Sequence, residues 1–220
     1  TRRGADAMID RATGEGSRES RVLAVARQKV NFGRALRLAG DLEDSKAEYW
    51  SALPVVMAEV GPEHREVGRV YSGLGGVAYL QGDYDEAKKM LEKALVIHAA
   101  TLKETLATRV GKGAGDLRHQ KMLEETLAIS KDVATAYNNL GWVAIRHSDY
   151  DGAKLMFLRS LAVHEAALGK NHKDVASSYH NVGIVARAHS DYAGCHGMFS
   201  KCLAIRQAVL GEHHPETAVS

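Results

Sequence analysis

Three short segments of the sequence contain residue types that catalyse reactions or bind ligands. The HSDY runs at 147–150 and 189–192 hold histidine, serine and aspartate, the side chains of a hydrolytic triad. Neighbours in one turn cannot converge as nucleophile, base and orienting carboxylate, so we interpret both runs as helix caps. Cys195, His196 and Cys202 include metal-ligand types, but no fourth ligand stands at tetrahedral-site spacing. Neither segment predicts an enzyme or a metal site.

The third segment, GKGAG at 111–115, is similar to a phosphate-binding loop only in its glycines. It lacks the Lys-Ser/Thr pair that follows in such loops, and no predicted strand precedes it, so we interpret it as a flexible connection. The formal net charge of +2 on 220 residues also argues against a general polyanion binder. We therefore expect no cofactor and no nucleic-acid partner.

The composition is typical of a folded, helical protein. With 45% apolar and 25% charged residues and only 3 Pro, it favours an all-α fold. The sequence contains no run of about 18 apolar residues that could span a bilayer. Cys195 and Cys202 lie two turns apart on one helix face, too far to form a disulfide. These features predict a cytoplasmic protein, with a cytoskeletal or organellar site as an alternative. The start at Thr1 and the end in HPETAVS indicate a piece of a longer protein.

The elements that must position the polar side chains recur along the chain at a fixed spacing. Four dipeptides of a large apolar residue and a glycine lie 42, 66 and 42 residues apart, and the longer interval is one period plus 24 residues. They are Phe32-Gly33, Leu74-Gly75, Leu140-Gly141 and Val182-Gly183. A turn follows each dipeptide, and its aspartate can cap a second helix. These aspartates are Asp41, Asp83, Asp149 and Asp191.

Both helices of the period have the pattern of packed amphipathic helices. In the first helix of the third copy, Val133, Tyr137 and Leu140 fall on one apolar stripe. The second helix carries a large residue between two small ones, and the large positions are Tyr49, Leu91, Phe157 and Phe199. Small residues allow the helices to approach, and the large residue fills the remaining space. The sequence thus predicts a stack of helical hairpins.

This pattern resembles the tetratricopeptide repeat (TPR), and the 42-residue period with LGKNHKDVA and LGEHHPETA is similar to the kinesin light chain class. The resemblance implies an all-α, right-handed α-solenoid of helix-turn-helix hairpins. We expect a linker over 1–17 and a solenoid over 18–217, with the start of a further repeat at 214–220. The repeats are expected at about 22–63, 64–105, 130–171 and 172–213, with an insertion at about 106–129.

Two regions depart from the repeat pattern. Gly73 and Gly76 replace larger residues in the first helix of repeat 2, and Pro54 predicts a kink in the second helix of repeat 1. Lys103 stands where other repeats have a helix-ending glycine, so we expect this helix to run on until Gly111. The insertion then contains a second helical stretch, either as an out-and-back hairpin or as a decayed fifth repeat.

The concave wall of such a stack is lined by the first helix of every pair and is the surface that solenoids use for binding. One wall position holds Asn31, Gly73, Asn139 and Asn181 in successive repeats. Asparagine can both donate to and accept from the backbone of an extended peptide, and kinesin light chains are similar in using it here. Arginines on the same wall predict an acidic ligand, and tryptophan and tyrosine are candidate aromatic anchors. With Arg27 beside them, the predicted peptide-binding residues are Asn31, Arg34, Arg37, Arg69, Tyr79, Asn138, Asn139, Trp142, Arg146, His180, Asn181 and Arg187.

The leading functional hypothesis is a scaffold or adaptor that binds an extended, acidic peptide segment of a partner protein. The alternative is a permanent structural subunit of a large cytoskeletal, ciliary or organellar assembly. RNA binding by helical repeats is a third class, which the near-neutral charge disfavours. No membrane insertion is expected.

Overall fold

All regular structure in the described part of the chain is helical. The computed structural model describes residues 24–109, 117–211 and 214–218. The helices are α1 (24–39), α2 (Leu42–Val60), α3 (Arg65–Gln81), α4 (Tyr84–Arg109), α5 (Leu117–Arg146), α6 (Tyr150–Leu168), α7 (Lys173–Ala188), α8 (Tyr192–Leu210) and the short α9 (Pro215–Ala218). Each helix from α2 to α8 packs against the next one along the chain. The predicted all-α helical-repeat fold is confirmed.

The two helices of each pair meet where a glycine of the first faces a large residue of the second. A Cβ atom placed on Gly141 would lie 2.6 Å from the Phe157 ring, and one on Gly183 would lie 2.8 Å from the Phe199 ring. Only glycine leaves room for the ring at that distance. At the small positions, a hydroxyl can bond to the backbone of the partner helix, as when Ser45 Oγ donates to the Gly33 carbonyl at 2.7 Å. The core therefore consists of short contacts repeated from pair to pair.

The HSDY runs form caps, as the sequence predicts. Asp149 accepts a hydrogen bond from the Gly152 amide at 2.8 Å, and Asp191 accepts one from the Gly194 amide at 2.9 Å. Each aspartate follows a serine in the left-handed region, Ser148 with φ 60° and its counterpart one repeat later. The runs thus turn the chain between the two helices of a pair.

Histidines begin the first helix of two pairs in a role that the sequence did not reveal. The ring Nδ1 of His64 accepts a hydrogen bond from the Glu66 amide at 3.2 Å. His172 accepts one from the Asp174 amide at 3.1 Å in the same way. Both rings therefore act as N-caps, a place usually taken by serine or aspartate.

The insertion is helical, as predicted, but it does not form a helix separate from repeat 3. It lengthens α4 to 26 residues, and α5 is one unbroken helix of 30 residues that includes both the inserted stretch and the first helix of repeat 3. No glycine or proline interrupts α5 before Gly141, so nothing in its sequence ends the helix at the repeat boundary. Where the inserted part of α5 joins repeat 3, Ile129 is fully buried. Leu106 of α4 and Leu123 of α5, both within the insertion, are 44% and 40% exposed. The predicted GKGAG connection lies outside the described residues, as do residues 1–23.

The second helix of repeat 1 is continuous through Pro54, which lies on its exposed side. None of the described helices combines the length and the apolar character needed to cross a bilayer.

Candidate binding groove

One groove of about 830 Å³ runs across the first helices of three successive pairs, α1, α3 and α5. We call it the inner groove. It brings together three of the four residues at the predicted wall position, Asn31, Gly73 and Asn139. It also contains three of the predicted arginines, Arg34, Arg37 and Arg69, together with Arg27. Equivalent positions of three successive repeats, identified from the sequence, therefore line the same groove.

A smaller recess of about 110 Å³ adjoins the inner groove. Its lining includes the two predicted aromatic residues, Tyr79 and Trp142, and it shares Arg37 and Asn139 with the inner groove. The Trp142 ring packs edge-on against Phe157 with 5.4 Å between centroids. The tryptophan is thus held in place by the core below it.

The remaining predicted residues do not line the inner groove. Asn181 donates to the Asn138 side chain at 2.6 Å, which connects α7 to α5. The His180 ring packs against Phe199 at 5.2 Å between centroids, and burial lowers the pKa of His180, with Arg206 and Arg187 adding to the effect. Arg146 donates to the Tyr84 hydroxyl at 2.8 Å. Arg187 is exposed on α7.

Two carboxylates that were not among the predicted site residues neutralise part of the positive charge of the groove. Glu66 lies 3.3 Å from Arg27 and 3.4 Å from Arg69. Asp132 lies 2.7 Å from Arg65 and 3.3 Å from Arg69. Glu66 stands in the first turn of α3, where the helix dipole favours a negative charge, and it is also a buried ion-pair partner.

Arg34 and Arg37 differ from these arginines. Within the described ranges, no carboxylate forms an ion pair with either residue. Arg34 is exposed, and Arg37 is half-buried with its Nε lacking a hydrogen-bond partner. Uncompensated positive charge in the inner groove is therefore concentrated on α1.

A buried histidine from a second helix forms part of the groove floor. His98 of α4 is 1% exposed, and its Nε2 lies 3.5 Å from the Ser72 hydroxyl. The ring packs so closely on α3 that a Cβ at Gly68 would lie 2.6 Å from it. Burial lowers the pKa of His98 to about 4, although Asp132 and Glu66 act in the opposite direction and Arg65 and Arg69 reinforce it. His98 is therefore neutral near pH 7.

A buried tyrosine reaches the groove from α2. Tyr49 is 2% exposed, yet it belongs to the groove lining. Its ring passes between Gly33 of α1 and Gly73 of α3. Burial raises the pKa of Tyr49, and the neighbouring Arg37 and Arg34 oppose that increase. The unusual glycine at position 73 was visible in the sequence, but its effect on a residue of another helix was not.

A second groove of about 390 Å³ lies between α4 and α6, with α5 beneath it. Its floor is apolar and includes Leu95, Val143 and Met156, and its rim carries charges of both signs. It contains none of the predicted peptide-binding residues. The two cysteines lie elsewhere, buried on α8. Among the residues that the structure describes, no three histidine, cysteine, aspartate or glutamate side chains are grouped to hold a metal ion.

Solved structures with similar folds were found, whereas no curated protein matches the sequence. BtubC (BKLC) from P. vanneervenii is 21% identical over 87% of this chain and 74% of its own, with a TM-score of 0.62. The apo form of RapI is 17% identical over 87% of this chain and 44% of its own, with a TM-score of 0.59. At these identities the likeness concerns the fold alone.

Family models described as tetratricopeptide repeat match most of the helical pairs. One matches residues 24–98 and 132–194, and another matches residues 175–216. The gap between the first two ranges contains the whole inserted segment. Because these matches cover more than half of the sequence and the helical pairs follow the same register, the chain belongs to the tetratricopeptide repeat family.

Proposed function

We propose that the chain is a protein-interaction scaffold that holds an extended peptide segment of a partner in the inner groove. The observation that carries this proposal is the meeting of Asn31 and Asn139, from different repeats, in one groove beside Arg34 and Arg37, which have no carboxylate partner among the described residues. Their amides offer donors and acceptors that can hold a peptide backbone whatever its side chains are. This activity corresponds to the adaptor role that the resemblance to kinesin light chains implies.

The dimensions of the groove suit a short extended segment. Packed helices typically lie about 10 Å apart, so three of them in a row cover roughly 20 Å, which corresponds to about six extended residues. A ligand of this length can contact Asn31 and Asn139 at the same time.

The charge distribution favours an acidic ligand whose negative group lies near α1. Arg27 and Arg69 already interact with Glu66 or Asp132. A ligand carboxylate beside them would compete with these internal acids. Beside Arg34 and Arg37 it would instead meet cations without carboxylate partners, so the acidic position of the ligand belongs at that end.

A second candidate function is that of a structural subunit in a larger assembly. It is favoured by the outer parts of α4 and α5, where Leu106 and Leu123 remain 44% and 40% exposed. Exposed leucines on two lengthened helices are suited to contact a neighbouring subunit. In that case a fixed complex, and not a short peptide, would be recovered with the protein.

Selection of binding peptides from a displayed random library tests the first proposal. We expect peptides enriched in acidic residues, and we expect Asn31→Ala combined with Asn139→Ala to weaken their binding about 10- to 100-fold. That range corresponds to the loss of side-chain hydrogen bonds worth about 0.5–1.5 kcal/mol each. Because Asn31 is exposed and Asn139 is half-buried, the melting temperature should change little.

Asn171→Ala is the matched control, since Asn171 is exposed in the turn before α7, outside the groove. It should bind the selected peptides as the unmodified protein does. Recovery of no peptide, or equal weakening by the control and the double variant, would contradict the proposal.

A further inference from the structure

Because Gly73 has no side chain, it leaves space in the inner groove that the Tyr49 ring of α2 occupies. A Cβ placed on Gly73 would overlap the Tyr49 ring, with Cδ1 at 2.9 Å and two other ring atoms nearer still. The equivalent residues in later repeats are Asn139 and Asn181, and the residues equivalent to Tyr49 are Leu91, Phe157 and Phe199. Of these four large residues, Tyr49 of the first pair is therefore the one that carries a hydroxyl.

Gly76, one turn further along α3, makes room for Arg37 in the same way. A Cβ placed there would lie 3.3 Å from Arg37 Nη1 and 3.6 Å from its Cζ, so the guanidinium lies close against the α3 backbone. Arg37 lines both the inner groove and the adjoining recess, and its buried Nε has no hydrogen-bond partner. The two unusual glycines thus place a tyrosine and an arginine side by side.

The chemistry of this pair requires an acceptor. A guanidinium can only donate, so a hydrogen bond between Arg37 and Tyr49 uses the tyrosine oxygen as acceptor and leaves the hydroxyl proton to be donated. No acceptor for that proton is seen among the described residues, and Arg37 Nε–H also lacks one. Arg34 adds a third donor and a second positive charge nearby.

We propose that Tyr49, Arg37 and Arg34 form a subsite for a single oxyanion on the bound peptide, either a carboxylate or a phosphate ester. This inference rests on the proposed function and adds to it which part of the groove holds the negative group of the ligand. The anion would lie between α1 and α3, with the following ligand residues running toward Asn139. Asn139 lines both cavities beside Arg37 and could hold the adjacent peptide group.

Titration of the arginine Nε–H signals in ¹H–¹⁵N spectra tests the subsite without a known ligand. The probes are N-acetylglutamate methylamide, which carries a carboxylate, and N-acetylphosphoserine methylamide, which carries a phosphate. We expect at least one probe to shift the Arg37 signal saturably, and the neutral N-acetylglutamine methylamide to leave it in place. A response to the first probe identifies an acidic segment as ligand, and a response to the second alone identifies a phosphorylated one.

Tyr49→Phe is the decisive variant because it keeps the ring over Gly73 and removes only the hydroxyl. It should raise the half-saturation concentration at least about fivefold, whereas Tyr192→Phe, at a residue that is 71% exposed, should leave it unchanged. A second variant, Tyr49→Leu with Gly73→Asn, copies the Leu91 and Asn139 combination of the next repeats. It should fold and lose the response to the probe.

Two results would overturn the subsite. One is the absence of a saturable shift of the Arg37 signal with either charged probe. The other is a half-saturation concentration that Tyr49→Phe leaves unchanged. If selected peptides bind the Tyr49→Phe and unmodified proteins equally, the subsite is wrong and the groove proposal stands. If the anions bind but no displayed peptide does, the groove proposal alone fails.

Discussion

Gly141→Ala is expected to lower the free energy of unfolding by about 1–2 kcal/mol, although alanine is the better helix former. The added Cβ would lie 2.6, 2.8 and 2.9 Å from three atoms of the Phe157 ring. Phe157 is 0% exposed, so its ring cannot move aside into solvent. Overpacking of a tight core costs typically about 1–3 kcal/mol or more, which outweighs the gain of about 1 kcal/mol in helix propensity.

The same substitution at Gly197 is the matched control. Gly197 lies within α8, and a Cβ there would meet nothing within 4 Å. We therefore expect Gly197→Ala to raise the free energy of unfolding by about 0.5–1 kcal/mol, since only the propensity term remains. Denaturant unfolding measures both. Equal effects at the two glycines would show that the ring does not require the glycine beneath it.

Acid is expected to destabilise the protein through His98. The pKa of this buried ring is about 4 in the folded protein, against an ordinary value of 6.5. Between these two pH values the unfolded chain binds a proton at His98 that the folded protein excludes. The contribution of neutral His98 to stability is therefore fully present above pH 6.5 and is lost as the pH is lowered toward 4. His98 alone should account for a loss of about 2 kcal/mol between pH 7.5 and pH 5.

His98→Gln isolates this contribution because glutamine does not titrate and can still bond to Ser72. Unfolding measured in denaturant at pH 7.5 and pH 5 should show a smaller loss in this variant by about 2 kcal/mol. His196→Gln, at an exposed position on α8, should behave as the unmodified protein does. If all three proteins lose the same stability, His98 is not excluded from protonation in the folded state.

The repeat register in the sequence predicted the stack because each period contains complete information about one pair of helices. Gly141 and Phe157 are 16 residues apart, and the same spacing separates Gly183 from Phe199. Such local and repeated spacing fixes the contacts within a pair. It also located Asn31, Gly73 and Asn139 in one groove, whereas the equivalent Asn181 bonds to Asn138 and does not line it.

The exceptions to the repeat were harder to predict because they depend on contacts between different pairs. Tyr49 was assigned to the core from its register, and whether it reaches the groove is decided by the missing side chain at Gly73. Likewise, Asp132 holds the same repeat position as Glu66 and Asp174, but its ion pairs with Arg65 and Arg69 join two different helical pairs. A single period of the sequence contains neither fact.

Under the proposed function, the arrangement of charges would make a near-neutral chain selective for charged ligands. Glu66 and Asp132 neutralise the middle of the inner groove and leave the positive end at α1. Their ion pairs also connect α1 and α5 to α3, so the proposed charge selectivity would depend on the same side chains that join the wall helices. Selectivity would then come from position along the groove and not from net charge.

Backbone amide shifts in ¹H–¹⁵N spectra, recorded on addition of a selected peptide, reveal which surface holds the ligand. We expect the large shifts to cluster on α1, α3 and α5 around residues 31, 73 and 139. Large shifts confined instead to the α4–α6 groove around residues 88 and 156, or to the outer parts of α4 and α5, would contradict the proposed function.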